Sequence, residues 1–135
     1  MKVFKVVLKL VVAWSFIATM PTAAAAAASA QAVSGGGVTV KVAYLNPGRR
    51  TEPRFQVTLD THSVNLDAYD LKTLAVLRDD RGKSYAPVAA ENRGGGHHRE
   101  VTLTFPELSA ETKRVEIAIK NIAGVEERKF SWNLD

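Results

Sequence analysis

The chain has 135 residues, no cysteine and a formal net charge of +4; the missing thiols exclude a cysteine nucleophile, a thiolate zinc site and a blue-copper centre. Three of its 18 basic residues fall among the first nine positions, leaving 15 basic against 14 acidic side chains in the rest. A body so near neutrality offers no basic stripe for nucleic acid or anionic lipid.

Lys2, Lys5 and Lys9 form a basic head, Leu10 to Met20 an apolar run that Pro21 ends, and an alanine tract closes on Ala28-Ser29-Ala30 and Ala30-Gln31-Ala32. Both triplets are small-x-small patterns that a signal peptidase accepts. The pattern predicts a signal peptide over 1–32, cut after Ala30 or Ala32, and hence a periplasmic or secreted protein. A retained anchor is the competing reading, but the apolar run has only 11 residues, where a spanning helix needs about 20. No stable membrane anchor is expected after cleavage, and without cysteine there is no lipidation site. Met1 and Met20, the two methionines, both lie in this leader, which also removes thioether copper ligation.

Ser34-Gly35-Gly36-Gly37 predicts a flexible joint over 33–37, followed by one domain over 38–135. From there the pattern has period two, the mark of half-buried strands. Val38, Val40, Val42 and Tyr44 alternate with polar neighbours until Asn46-Pro47-Gly48, a turn. Arg49, Arg50 and Arg54 flank that turn and read as a solvated loop. A second strand carries Phe55, Val57 and Leu59. A third runs from Lys72 to Arg78 and closes on the hairpin Asp79-Asp80-Arg81-Gly82. The fourth, Ser84 to Ala90, contains Pro87, which cannot donate to a ladder, so an edge position is expected. Val101, Leu103 and Phe105 mark a fifth, Val115, Ile117 and Ile119 a sixth, and Phe130, Trp132 and Leu134 a seventh. A helical turn fits Leu66 to Leu71, in the longest connection.

Seven short strands without a long amphipathic helix predict an all-β fold, a seven-stranded immunoglobulin-like antiparallel sandwich behind the signal peptide. A small barrel of the OB type is the alternative, and five strands would suit it better.

The three histidines fall in two connections. His62 follows the second strand, and His97 and His98 precede the fifth, after Gly94-Gly95-Gly96. Connections alternate between the ends of a sandwich, so all three imidazoles are expected at one end. With an oxygen from Asp60, Asp67 or water they could hold Zn²⁺ or Cu²⁺ without thiolate; the candidate ligands are His62, His97, His98 and Asp60. The structural alternative follows from strand parity, which turns His97 inward and His98 outward. A buried His97 would then hydrogen-bond Ser63, Asp67 or a loop carbonyl and brace the connections.

Other chemistry has less support. Asp60, Asp67 and Asp70 lack the dense oxygen spacing of a calcium loop, and Asp67 and Asp70 read as caps on the turn that holds Tyr69. Asp79 and Asp80 belong to the hairpin. No Gly-x-Ser-x-Gly is present, and Ser63 next to His62 is not a triad. Trp132 and most of the aromatic side chains fall on inward parity, which leaves no stacking platform.

The stretches DTHSVNLDAYDLKTLAVLRDDRGKSYAP (60–87) and GGGHHREVTLTFP (94–106) resemble recurring motifs of uncharacterised exported bacterial proteins with an immunoglobulin-like domain. The resemblance covers most of the mature chain and implies an architecture and a compartment, not an activity. The Cys, Trp, Cys pattern of antibody domains is missing. Taken together, these features predict an exported, non-enzymatic module without a required cofactor, binding protein partners in the periplasm or cell envelope. A divalent Zn or Cu binder is the alternative.

Overall fold

The computed structural model describes residues 30–134, so the expected leader lies outside the described residues up to position 29. Nine strands form two sheets: β1 (Ala30–Gly35), β2 (Val38–Tyr44), β3 (Arg54–Thr61), β4 (Ala75–Asp79), β5 (Ser84–Tyr85), β6 (Ala89–Gly95), β7 (His98–Thr104), β8 (Arg114–Ile122) and β9 (Val125–Asn133). One sheet has the order β1-β2-β3-β7-β6 and the other β5-β4-β8-β9, and every pairing is antiparallel. The described residues thus make an all-β, two-sheet fold with nine strands rather than the expected seven.

The two additional strands have separate causes. Residues 33–37, expected as a joint, hold the end of β1, which extends to Gly35, and Gly36 and Gly37, at φ 62° and 79°, make the tight turn into β2. Positive φ at both central residues is what a two-residue hairpin demands. Gly36 is required twice over, because a Cβ there would stand 2.1 Å from the Ala123 carbonyl oxygen. The expected fourth strand is two strands. β5 borders one sheet and β6 the other, and Pro87 lies in the crossing, where no ladder needs its missing N–H. Both pieces are edge strands, as the proline requires.

The expected third strand is shorter than its pattern. Its first part is a single helical turn, α1 (Leu71–Leu74), capped by Asp70, whose carboxylate accepts from the Lys72 N–H at 3.1 Å and from the Thr73 hydroxyl at 2.8 Å. The cap moves the turn from the expected 66–71 to 71–74, because a side-chain oxygen at Ncap satisfies donors that an extended backbone would leave to the ladder.

Alternation then sets the core. Val38, Val40, Val42, Tyr44, Phe55, Val57, Leu59, Val101 and Leu103 point from one sheet at Leu77, Val115, Ile117, Ile119, Phe130 and Trp132 from the other, all buried. Each such aliphatic or aromatic side chain contributes about 1.5–3 kcal/mol by leaving water. Tyr44 stacks on Phe55 at 4.3 Å between centroids, and Trp132 and Phe105 close on Phe55 at 5.4 and 5.8 Å. Burial pushes the Tyr44 phenol up to about 12, against a smaller opposing pull from Arg50.

This aromatic cluster fills one end of the sandwich. At the other end the inward position of β9 carries a cation, Arg128, only 1% exposed. Its Nη1 donates to the Ile122 carbonyl at 2.9 Å and its Nη2 to the Gly35 carbonyl at 2.6 Å. Among the described residues no carboxylate pairs with it.

Candidate functional site

The end opposite the aromatic cluster is built around Thr61, the last residue of β3, whose inward parity leaves its side chain 8% exposed. Its hydroxyl donates to the Gly37 carbonyl at 2.7 Å and accepts from the N–H groups of Ser63 and Val64, both at 3.2 Å. One threonine therefore ties the β1–β2 turn to the segment that leaves β3. The backbone supplies the next ties: Thr61 N–H donates to the His97 carbonyl and Leu66 N–H to the Gly96 carbonyl, each at 3.0 Å. Asp67 answers by accepting from Gly96 N–H at 2.8 Å.

Arg99 and Tyr69 complete the frame. The Arg99 guanidinium donates to the carbonyls of Leu66, at 2.9 Å, and of Tyr69, and to Asn92 Oδ1 at 2.6 Å. The Tyr69 hydroxyl accepts from Ala123 N–H at 3.0 Å, which joins the β8–β9 turn to the same end. Four connections are stitched together by backbone and side-chain hydrogen bonds, and such pre-organisation suits a surface that binds.

The structure brings the four sequence-predicted residues together. Gly37, Thr39, Asp60, Thr61, His62, His97 and His98 line one open cavity of about 480 Å³. His62 and His97 are exposed on its wall. The expectation of a buried His97 is corrected: Gly96, at φ 66°, and His97 form the turn between β6 and β7, and turn residues do not keep strand parity. The bracing assigned to its imidazole is done by the carbonyls of Gly96 and His97.

His98 faces outward, as parity predicts, directly across from Asp60 in the β3–β7 ladder. Its Nδ1 contacts Asp60 Oδ1, and its Nε2 lies 3.7 Å from Glu100 Oε1. Glu100 Oε2 in turn accepts from Gln56 Nε2 at 3.3 Å. The hydrogen bond and charge of Asp60, with a smaller contribution from Glu100, raise the His98 pKa above its ordinary value, since both favour the imidazolium. Glu100 and Gln56 are additions that residue types alone did not single out. The available signal was the period-two spacing of His98 and Glu100, which sets both on one face.

As a metal centre the donor set is chemically suitable, but among the described residues no three His, Asp or Glu side chains converge on one point. Nδ1 of His98 is engaged by Asp60. Two acidic residues outside the cavity have structural work. Asp70 caps α1, and the Thr73 hydroxyl and nearby N–H groups hold its pKa below the usual value. Asp79 accepts from Arg81 N–H, Lys83 N–H and the Tyr85 hydroxyl, each at 2.9 Å, and so fixes the β4–β5 hairpin.

Among the described residues no helix is long and apolar enough to cross a membrane. Compared with known proteins, no family model, curated protein or solved structure matches the chain.

Proposed function

We propose that this chain is an exported, non-enzymatic immunoglobulin-like module that binds a protein partner of the periplasm or cell envelope through its histidine rim. The immunoglobulin-like type is supported by strand order. With β1 and the two-residue β5 set aside, the sheets read β2-β3-β7-β6 and β4-β8-β9, which is the A-B-E-D and C-F-G arrangement of that fold. Export is supported by the basic, apolar and small-residue pattern of the first thirty residues.

The observation that carries the binding reading is the framed rim itself. Connections locked to one another by backbone and side-chain hydrogen bonds present three imidazoles and a carboxylate around one open cavity. Binding and catalytic groups sit on loops held by a rigid scaffold, and no nucleophile with a positioned base occurs among these. The test is cross-linking in the producing cell from a photoreactive side chain at residue 62 or 97. A discrete envelope adduct that disappears from a site on the opposite end supports the reading, and no adduct from either rim position overturns it.

A second reading, Zn²⁺ or Cu²⁺ binding by His62, His97, His98 and Asp60, is favoured by their shared cavity. Ion at about 100 times its dissociation constant adds about 2.7 kcal/mol, and each kcal/mol moves the midpoint of a domain this size by about 4–8 °C. Specific binding therefore raises the unfolding midpoint by more than about 10 °C. No shift, or a shift that survives replacement of all three histidines by alanine, removes the metal.

A further inference from the structure

β6 ends the larger sheet and, among the described residues, is hydrogen-bonded on one side only, to β7. Such an edge is a template for another strand, and proteins blunt it with bulges, prolines or charged side chains. β6 carries opposite signs two positions apart. Glu91 and Arg93 stand on the outer face, opposite Thr102 and Glu100 of β7, and neither takes part in an ion pair among the described residues.

We propose that two copies of this chain pair through β6, antiparallel about a two-fold axis that passes by Asn92. In that register Glu91 of each copy faces Arg93 of the other, so one strand supplies both halves of two symmetric ion pairs. Directly opposite residues in an antiparallel ladder share a face, and an isologous seam must be complementary to itself. A sequence with like charges at these two positions would repel its own copy. Arg93 then lies between Glu100 of its own chain and Glu91 of the second. Val88, 57% exposed and more so than Val33 or Leu45, lies at the start of the same edge, where the second copy covers it. The two larger sheets become one continuous ten-stranded sheet.

The test is sedimentation of the full chain, purified as expressed, from micromolar to millimolar concentration. The expected result is a mass that doubles with concentration and a dimer that weakens as salt rises. Glu91→Arg alone, or Arg93→Glu alone, sets like charges opposite each other twice and raises the dissociation constant about tenfold. The double variant Glu91→Arg/Arg93→Glu restores pairing, and circular dichroism of each exposed-site variant verifies the fold. A monomer at every concentration, a dimer indifferent to the single reversals, or a double variant weaker than either single one overturns the proposal.

Discussion

The side-chain amide of Gln31 pairs with the backbone of Ser131 as a neighbouring strand would: its Nε2 donates to the Ser131 carbonyl at 2.6 Å, and its Oε1 accepts from Ser131 N–H at 3.3 Å. β1 and β9 are edge strands of different sheets, and both would expose unpaired groups there. One glutamine closes that side of the sandwich and satisfies two of them. Gln31→Ala is expected to lower stability by about 1–2 kcal/mol, the worth of two partly exposed hydrogen bonds. Thermal unfolding reads this as a fall of several degrees. The same contact separates the two expected cleavage points: a chain starting at Gln31 keeps the clamp and one starting at Val33 loses it, so the first should melt higher.

His98 should titrate above the free-imidazole value of about 6.5, because Asp60 and Glu100 favour its charged form. With the folded pKa raised, this pair's stabilisation is fully present below the unfolded pKa and fades as pH rises through the folded one. NMR titration of the imidazole C–H resonances checks it. Asp60→Asn should bring the midpoint down toward the free value, with Glu100→Gln producing a smaller fall in the same direction. A midpoint indifferent to Asp60→Asn would show that the contact does not persist in solution.

The strands legible from alternation are those whose two faces differ: β2, β3, β7, β8 and β9 bury the parity their apolar residues mark. β1 escaped because Ala30–Gly35 buries no side chain fully, and what holds it is pairing with β2 and the Gln31 clamp. The split at Pro87 was legible as an edge but not as a change of sheet, since local pattern does not say which sheet a strand joins. At the rim, connection counting places the histidines correctly, because it depends only on topology. Parity fails at His97, because the two-residue turn interrupts it. Glu100 and Gln56 required the register of β3 on β7, which is non-local.

Asp79 tests the hairpin. Burial alone would raise its pKa, but the N–H of Lys83, the Tyr85 hydroxyl and the N–H of Arg81 outweigh that and hold it below 3.8. The sign follows: this stabilisation is present above the unfolded value and is lost as pH falls through the lowered folded one. Asp79→Ala, which removes three accepted hydrogen bonds, should cost about 2 kcal/mol near neutral pH. In urea unfolding the gap between wild type and Asp79→Ala should narrow at pH about 3, where the carboxylate is already largely protonated in the unfolded chain. A gap independent of pH would mean that the charge of Asp79 contributes nothing.

Arg128 poses an opposition of two costs. Desolvation pulls its pKa below the ordinary guanidinium value, and Tyr69 acts against that; its Nε has no hydrogen-bond partner among the described residues. Replacing a buried charge by an apolar side chain of similar volume can be neutral or stabilising when the charge is poorly compensated. Here, however, the fork satisfies the carbonyls of Gly35 and Ile122, one from each of two turns that touch through Gly36 and Ala123. Arg128→Met keeps the apolar stem but removes both hydrogen bonds to these carbonyls, and the expected net loss is about 2 kcal/mol. Arg128→Lys, with a point charge in place of a fork, should fall between. Hydrogen exchange supplies the specific readout: protection should drop first at the turns around 36–37 and 122–124, then at Thr61 and Leu66, whose N–H groups frame the rim, while the aromatic end stays protected. A methionine variant as stable as wild type, with unchanged exchange at the rim, would show that desolvation cancels the fork and that the rim is held by Thr61 and Arg99 alone.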